Sequence, residues 1–163
     1  MDFRIGIGYD IHPLSSERKL FIGGVEIPYI KGLMGHSDAD VLLHALCDAL
    51  LGAIAAGDIG EHFPDTDPQY QDISSVELLK KVADLVKDKG FKIHNLDMVV
   101  IAQEPNLSAF KKKIREKIAQ ILGVSPAQVN IKAKTNNGLG EIGAKDAIAG
   151  LAVASVIAKE AQC

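Results

Sequence analysis

Two short stretches carry the side chains best suited to chemistry. In Asp10-Ile11-His12 a carboxylate and an imidazole stand two residues apart, and on an extended chain such residues face the same side. That pair suits zinc, and a third ligand from a distant helix would leave the fourth position open, as in a catalytic site. The second stretch, His36-Ser37-Asp38-Ala39-Asp40-Val41-Leu42-Leu43-His44, supplies His44 as the obvious third ligand. Ser37 and Asp38 precede an apolar run that continues to Ala56, which predicts a helix capped by those residues. His36 and Ser37 would then lie where unpaired amides and the helix dipole favour a phosphate or carboxylate. Further along, Asp40, His44, Asp48 and Gly52 recur at four-residue spacing as a polar stripe between apolar faces. A capped amphipathic helix with a solvated edge explains that window without chemistry, and an exposed strand end explains Asp-x-His.

Two loops add polar groups. Residues 57–68 are rich in turn formers yet carry Asp58, Glu61, Asp65 and Asp67 with His62 and Phe63. Such a loop lines a site or is simply an acidic solvated turn. Thr135-Asn136-Asn137-Gly138-Leu139-Gly140-Glu141-Ile142-Gly143 is a polar, glycine-rich loop able to offer amides and hydroxyls to a ligand. Gly6-x-Gly8 is not a dinucleotide loop, because the third glycine and the following helix are missing.

The elements that must position these groups are legible in outline. Ile5 and Ile7 alternate with Gly6 and Gly8, predicting a strand against which another backbone comes close. Residues 20–28, with Gly23-Gly24 between apolar runs, predict a β-hairpin with no evident chemistry. Ser74-x-x-Glu77 reads as a capping box for a helix ending at Gly90, purely structural by its pattern. Phe91 to Gln103 predicts a buried strand and Leu107 to Leu122 an amphipathic helix whose lysines form a solvated face. Val129 to Lys134 alternates as a half-buried strand, and Asp146 to Lys159 fits either helix or strand. No repeat or interdomain linker interrupts the chain, so its 163 residues predict one domain, 1–163.

Composition narrows the classes further. With 47% hydrophobic and 24% charged residues the chain is that of a soluble globular protein, and Asp40, His44 and Asp48 break the longest apolar run, so no membrane partner is expected. Strand-like sequence starting at Phe3 leaves no room for a leader, which predicts a cytoplasmic protein. Cys47 and Cys163 are the only cysteines, too few for a disulfide framework or a cysteine zinc site. A net charge of -3 argues against a nucleic-acid partner.

Taken together, Asp10-x-His12, Gly23-Gly24-Val25-x-Ile27-Pro28, His36-Ser37-Asp38-x-Asp40-Val41-x-x-His44, Gly57-Asp58-Ile59-Gly60, Phe63-Pro64-Asp65-Thr66-Asp67 and Lys132-Ala133-x-Thr135 closely resemble the 2-C-methyl-D-erythritol 2,4-cyclodiphosphate synthase family. The resemblance runs from about residue 4 to the C-terminal segment. It implies an α/β fold with a β-α-β-α-β-β core, a mixed sheet packed by helices, and a homotrimer with active sites at subunit interfaces; on this basis the last segment is expected to be a strand. It also implies conversion of 4-diphosphocytidyl-2-C-methyl-D-erythritol 2-phosphate to the cyclic diphosphate with release of CMP, in the non-mevalonate isoprenoid pathway.

Carried over by position, Asp10, His12 and His44 would hold Zn2+ or another divalent transition metal. His36 and Thr135 would stabilise the transition state. Asp10, His12, His36, Ser37, Asp58, Ile59, Gly60, Phe63, Pro64, Asp65, Thr66 and Asp67 would surround the methylerythritol phosphate. The cytidine and its diphosphate would fall to Ala102, Gln103, Glu104, Pro105, Asn106, Leu107 and Ser108 with Ala133, Lys134, Thr135, Asn136 and Asn137, with Mg2+ or Mn2+ on the diphosphate. Asp40 and Asp48, one turn either side of His44, are candidates to orient its ring. The chain departs from the family at Asn106, where lysine is common, at Asn137, where a magnesium-binding glutamate is usual, and at Glu141 and Ala144, where phenylalanine and arginine occur in some members. The rival readings of the same residues are a metal-dependent phosphohydrolase and a non-catalytic trimeric binding protein.

Overall fold

A computed structural model describes residues 2–64, 66–70 and 73–159. Its frame is a five-stranded mixed sheet in the order β4-β1-β7-β5-β6, with β1 at Phe3–Ser15, β4 at Gly32–Leu33, β5 at Phe91–Ile101, β6 at Val129–Lys134 and β7 at Ala147–Ala158. Among the described neighbours in this sheet only β5 and β6 run parallel, a pairing that needs a crossover connection through an intervening helix. That helix is α4, Lys111–Leu122, ended by Gly123 in the left-handed conformation. The ambiguous C-terminal segment is therefore a strand, and a central one: β7 pairs antiparallel with β1 on one side and β5 on the other. The expected β-α-β-α-β-β order is present, with a separate hairpin of β2, Leu20–Ile22, and β3, Val25–Ile27.

Helix α1, Val41–Ala53, lies directly on β1. Gly6 and Gly8 permit this, since a Cβ at Gly6 would stand 1.9 Å from the Ala49 carbonyl oxygen and one at Gly8 1.9 Å from that of Ala45. The backbone approach predicted from the glycine alternation is thus between strand and helix. The opposite face of β1 is apolar and bare: Ile5, Ile7, Tyr9 and Ile11 are 63%, 68%, 55% and 42% exposed.

The start of α1 differs from expectation. Asp40, not Ser37 or Asp38, is the N-cap, and its buried carboxylate accepts from the amides of Leu43 at 3.1 Å, Gly23 at 2.9 Å and Gly24 at 2.6 Å. Gly23 and Gly24 sit at φ of 61° and 74°, the pair of left-handed residues that a tight hairpin turn needs. The hairpin therefore has a task, to seat the start of α1. Because the protein's own carboxylate fills the anion position there, the helix terminus is not open to a ligand.

Helix α3, Ser75–Asp88, covers the other side of α1, with Leu78, Leu79, Val82 and Val86 buried. Ser74 caps it toward Val76, while Glu77 makes no reciprocal bond among those described, so half of the expected box is formed. Short helices α2, Ile59–His62, and α5, Gly140–Gly143, occupy the two polar loops. Among the described residues no helix is long and apolar enough to cross a membrane.

Candidate metal centre and active-site cleft

Strand β1 and helix α1 meet at Asp10, His12 and His44. Asp10 and His12 project from the same side of β1 as their spacing requires, and His44 comes from the first turns of α1. The Asp10 Oδ2 lies 2.8 Å from His12 Nε2 and 2.9 Å from His44 Nδ1, and the two imidazole nitrogens are 3.2 Å apart. Three donor atoms at the corners of so small a triangle fit one first-row divalent ion, since ligands about 2.0–2.1 Å from tetrahedral zinc are themselves about 3.3 Å apart. Burial pushes the Asp10 carboxyl up, but hydrogen bonds from His12 and His44 and their charge hold it well below the usual carboxylate range. Burial lowers His44, and the bond and charge of Asp10 more than offset this and raise it. Gly35 passes beside the His12 ring, where a Cβ would stand 3.3 Å from Cε1.

The triad opens into a cleft of about 410 Å³ that brings together Asp10, His12, His36, Ser37, His44, Ile59, Gly60, Phe63, Pro64 and Thr66. Gly35, Asp48, Tyr70, Ile73 and Leu78 complete its walls, and of these the sequence singles out Asp48 alone. His36 Nε2 is buried with no hydrogen-bond partner among the described residues, a donor or acceptor available to a ligand. The Asp48 carboxylate accepts from the Ile59 amide at 2.8 Å and so anchors the start of α2 over the cleft; burial raises its pKa. Phe63 packs edge-on against Tyr70, with the Lys81 ammonium 5.8 Å and 5.2 Å from the two rings.

Two acidic candidates lie outside this lining. Asp58 spends its carboxylate on the Glu61 amide as the cap of α2, and Asp67 accepts from the backbone and side chain of Gln69. Asp65 lies outside the described residues.

A second, smaller cleft of about 160 Å³ lies at the C-terminal ends of β5 and β6, the usual ligand edge of parallel strands. It joins Ala102, Gln103, Pro105, Asn106, Leu107, Ser108, Ala133, Lys134 and Thr135. Glu104 turns away to Lys145 at 2.6 Å, and Asn136 donates to the Leu139 carbonyl. Asn137 adopts φ 53°, which asparagine tolerates better than most residues, and accepts from Thr135 Oγ1 at 3.4 Å. Gln103 Oε1 accepts from the Gly138 amide and ties the two loops together. His36 and Thr135 thus line different clefts of the same chain.

Around His44 the partners are not Asp40 and Asp48. Its Nε2 lies 3.0 Å from Ser37 Oγ and 2.9 Å from Ser75 Oγ. Ser75, wholly buried, donates its hydroxyl proton to Asp38, whose carboxylate also accepts from the Ser75 amide and the Ser74 hydroxyl. The only sequence signal for Ser75 is a second serine beside the cap, a polar group that a purely structural helix has no use for. Arg18 bonds the Gly35 and Ser37 carbonyls at 2.9 Å and 2.6 Å and so clamps the segment that carries His36, which no local pattern announces.

The sequence pattern of the YgbB family matches residues 3–157. The chain belongs to the YgbB family. Among its relatives, the 2-C-methyl-D-erythritol 2,4-cyclodiphosphate synthase of Alkaliphilus oremlandii is 57% identical over 154 residues, 94% of this chain and 98% of the relative. The synthase of the same name from Clostridioides difficile is 53% identical over 146 residues, 90% and 91% of the two chains. The fold also matches solved YgbB-like structures. The IspF of Plasmodium falciparum, in a complex with CDP, is 37% identical with a TM-score of 0.85 and 97% of each chain covered. The bifunctional IspDF of Campylobacter jejuni is 41% identical with a TM-score of 0.93, over 97% of this chain and 43% of that longer one.

Proposed function

We propose that this YgbB-family chain, acting as a single domain over 1–163, converts 4-diphosphocytidyl-2-C-methyl-D-erythritol 2-phosphate to 2-C-methyl-D-erythritol 2,4-cyclodiphosphate and CMP in the non-mevalonate isoprenoid pathway. The observation that carries the reading is the Asp10, His12, His44 triangle in the lining of a cleft that also holds His36 and Ser37. The reaction is a phosphorus-oxygen lyase step. An oxygen of the 2-phosphate bonds to the β-phosphorus while the bond from that phosphorus to the bridging oxygen breaks, and the electron pair leaves with CMP. Such a displacement depends on alignment and on neutralising phosphate charge, and it needs no covalent enzyme nucleophile.

Asp10, His12 and His44 would hold a divalent ion, Zn2+ by the donor set, and when bound it supplies Lewis-acid charge neutralisation at a phosphate oxygen. His36, with its unpartnered nitrogen, and the Ser37 hydroxyl take the phosphate end of the substrate beside that site. Ile59, Gly60, Phe63, Pro64 and Thr66 enclose the methylerythritol; the family resemblance alone adds Asp58, Asp65 and Asp67. The second cleft takes the cytidine, with Thr135 toward the diphosphate. No carboxylate stands at Asn137, so Mg2+ or Mn2+ there would rest mainly on the diphosphate oxygens.

Separation of His36 and Thr135 into two clefts supports a homotrimer in which one subunit's metal cleft faces the next subunit's nucleotide cleft. The bare apolar stripe of Ile5, Ile7, Tyr9 and Ile11 supports the same assembly, because a patch of that kind marks a protein interface. The protein is placed in the cytoplasm on the same reading. CMP release from the cytidyl diphosphate substrate, lost in His44→Ala together with bound zinc by elemental analysis, tests the proposal. Equal zinc content in the two proteins would count against the centre.

A further inference from the structure

We propose that Ser75 and Asp38 are positioning residues that fix the His44 ring in the tautomer whose Nδ1 lone pair faces Asp10 and His12. The inference rests on the metal-centre reading and follows from counting protons. A carboxylate can only accept, so the short contact between Ser75 Oγ and Asp38 Oδ1 takes the single hydroxyl proton of Ser75. Ser75 Oγ, 2.9 Å from His44 Nε2, is then left only as an acceptor, and Nε2 must carry the hydrogen. With Nε2 keeping its hydrogen, the hydrogen that bonds Nδ1 to Asp10 Oδ2 at 2.9 Å is the one a bound ion displaces, and the Nδ1 lone pair then points into the triangle, 3.2 Å from His12 Nε2.

The rest of the geometry holds this relay rigid. Ser75 is 0% exposed, at the first turn of α3, so no water competes for its hydroxyl. Asp38 is fixed by the Ser75 amide at 3.0 Å, the Ser74 hydroxyl at 3.2 Å and the Asp40 amide at 3.3 Å. The segment before α1, the start of α3 and the ring of His44 are thereby locked to one another.

A consequence falls on Ser37. Its Oγ also lies near His44 Nε2 and accepts from the Ala39 amide at 3.1 Å, but a protonated Nε2 cannot accept from it. The Ser37 hydroxyl proton is therefore left for an acceptor in the cleft, such as a phosphate oxygen. Of the two serines on one ring nitrogen, Ser75 serves the metal ligand and Ser37 serves the substrate.

The test is zinc affinity of the full chain, by competition with a chromophoric chelator, for the wild type, Ser75→Ala, Asp38→Asn and Ser37→Ala, with metal-free thermal melting to report the fold. Loss of such an outer partner lowers metal affinity about 10–100-fold; that loss is expected for Ser75→Ala and Asp38→Asn, with little change for Ser37→Ala. Wild-type affinity in Ser75→Ala and Asp38→Asn, or a loss in Ser37→Ala as large as theirs, would overturn the relay while leaving the metal centre standing. A wild-type protein that takes up no zinc would overturn the metal centre and the relay together. Independently of any variant, a long-range proton-nitrogen NMR spectrum of the zinc-loaded wild type should show His44 Nε2 protonated. An unprotonated Nε2 would refute the assignment.

Discussion

Gly8→Ala is expected to damage the metal centre from a position that touches none of its ligands. The added methyl carbon would lie 1.9 Å from the Ala45 carbonyl oxygen and 2.8 Å from the Ala49 amide nitrogen, both backbone atoms of α1 that no rotamer change can move. Carbon-oxygen contacts begin at about 3.3–3.6 Å, so helix and strand must separate locally by about 1.5 Å. Overpacking of a core costs about 1–3 kcal/mol, and at this chain length each kcal/mol lowers Tm by about 2–4 °C. The site suffers more. Asp10 and His12 ride on the strand and His44 immediately precedes Ala45 on the helix, whereas metal-ligand distances tolerate only about 0.2 Å of error. Thermal melting of the metal-free protein and chelator competition for zinc are the two assays, with Gly52→Ala as the control. There the new Cβ would meet Gly6 Cα and the Ile7 oxygen at an ordinary 3.9 Å, and replacing a glycine in the last turn of α1 should leave stability unchanged or raise it by less than about 1 kcal/mol. Gly8→Ala with unchanged Tm and zinc affinity would refute the claim that strand-helix contact sets the triad.

Asp40→Asn should cost about 1–3 kcal/mol by turning one acceptor of three backbone amides into a donor, read as a lower denaturant midpoint with an unchanged slope. Ile7→Glu, on the exposed stripe of β1, should convert the proposed trimer into smaller species in sedimentation equilibrium and abolish CMP release without lowering the melting temperature of the subunit. Asn137→Glu should reduce the free magnesium needed for CMP release, at a stability cost of about 1–2 kcal/mol because glutamate suits the left-handed backbone at φ 53° less well than asparagine; superimposable magnesium curves would show that residue 137 does not face the metal.

Local pattern carried much of this fold because its signals were period-two or positional. Gly6 and Gly8 announced a backbone contact, Gly23-Gly24 a turn, Gly90 a helix end, and Asp10-x-His12 a shared face. What stayed hidden are partnerships fixed only by tertiary packing. Three polar residues precede α1, and spacing alone cannot say that Asp40 caps it while Asp38 reaches instead to α3. The same blindness made α3 look structural, since Ser75 acquires a task only when α3 is laid beside His44. Arg18, in the turn before β2, reaches the His36 segment because that turn backs onto Gly32, where a Cβ would lie 2.1 Å from the Lys19 oxygen. The final strand was undecidable from its own alanines and valines; its neighbours β1 and β5 supply the pairing that makes it a strand.

The most direct test of the proposed activity is phosphorus NMR of the zinc- and magnesium-supplemented protein incubated with 4-diphosphocytidyl-2-C-methyl-D-erythritol 2-phosphate. The account predicts equal amounts of CMP and of a cyclic diphosphate whose two phosphorus signals couple to each other. CMP with an open-chain bisphosphate would mean that water attacks the β-phosphorus and that the protein is a phosphohydrolase. Substrate left intact would mean that the protein does not catalyse the step, and either result would contradict the cyclisation.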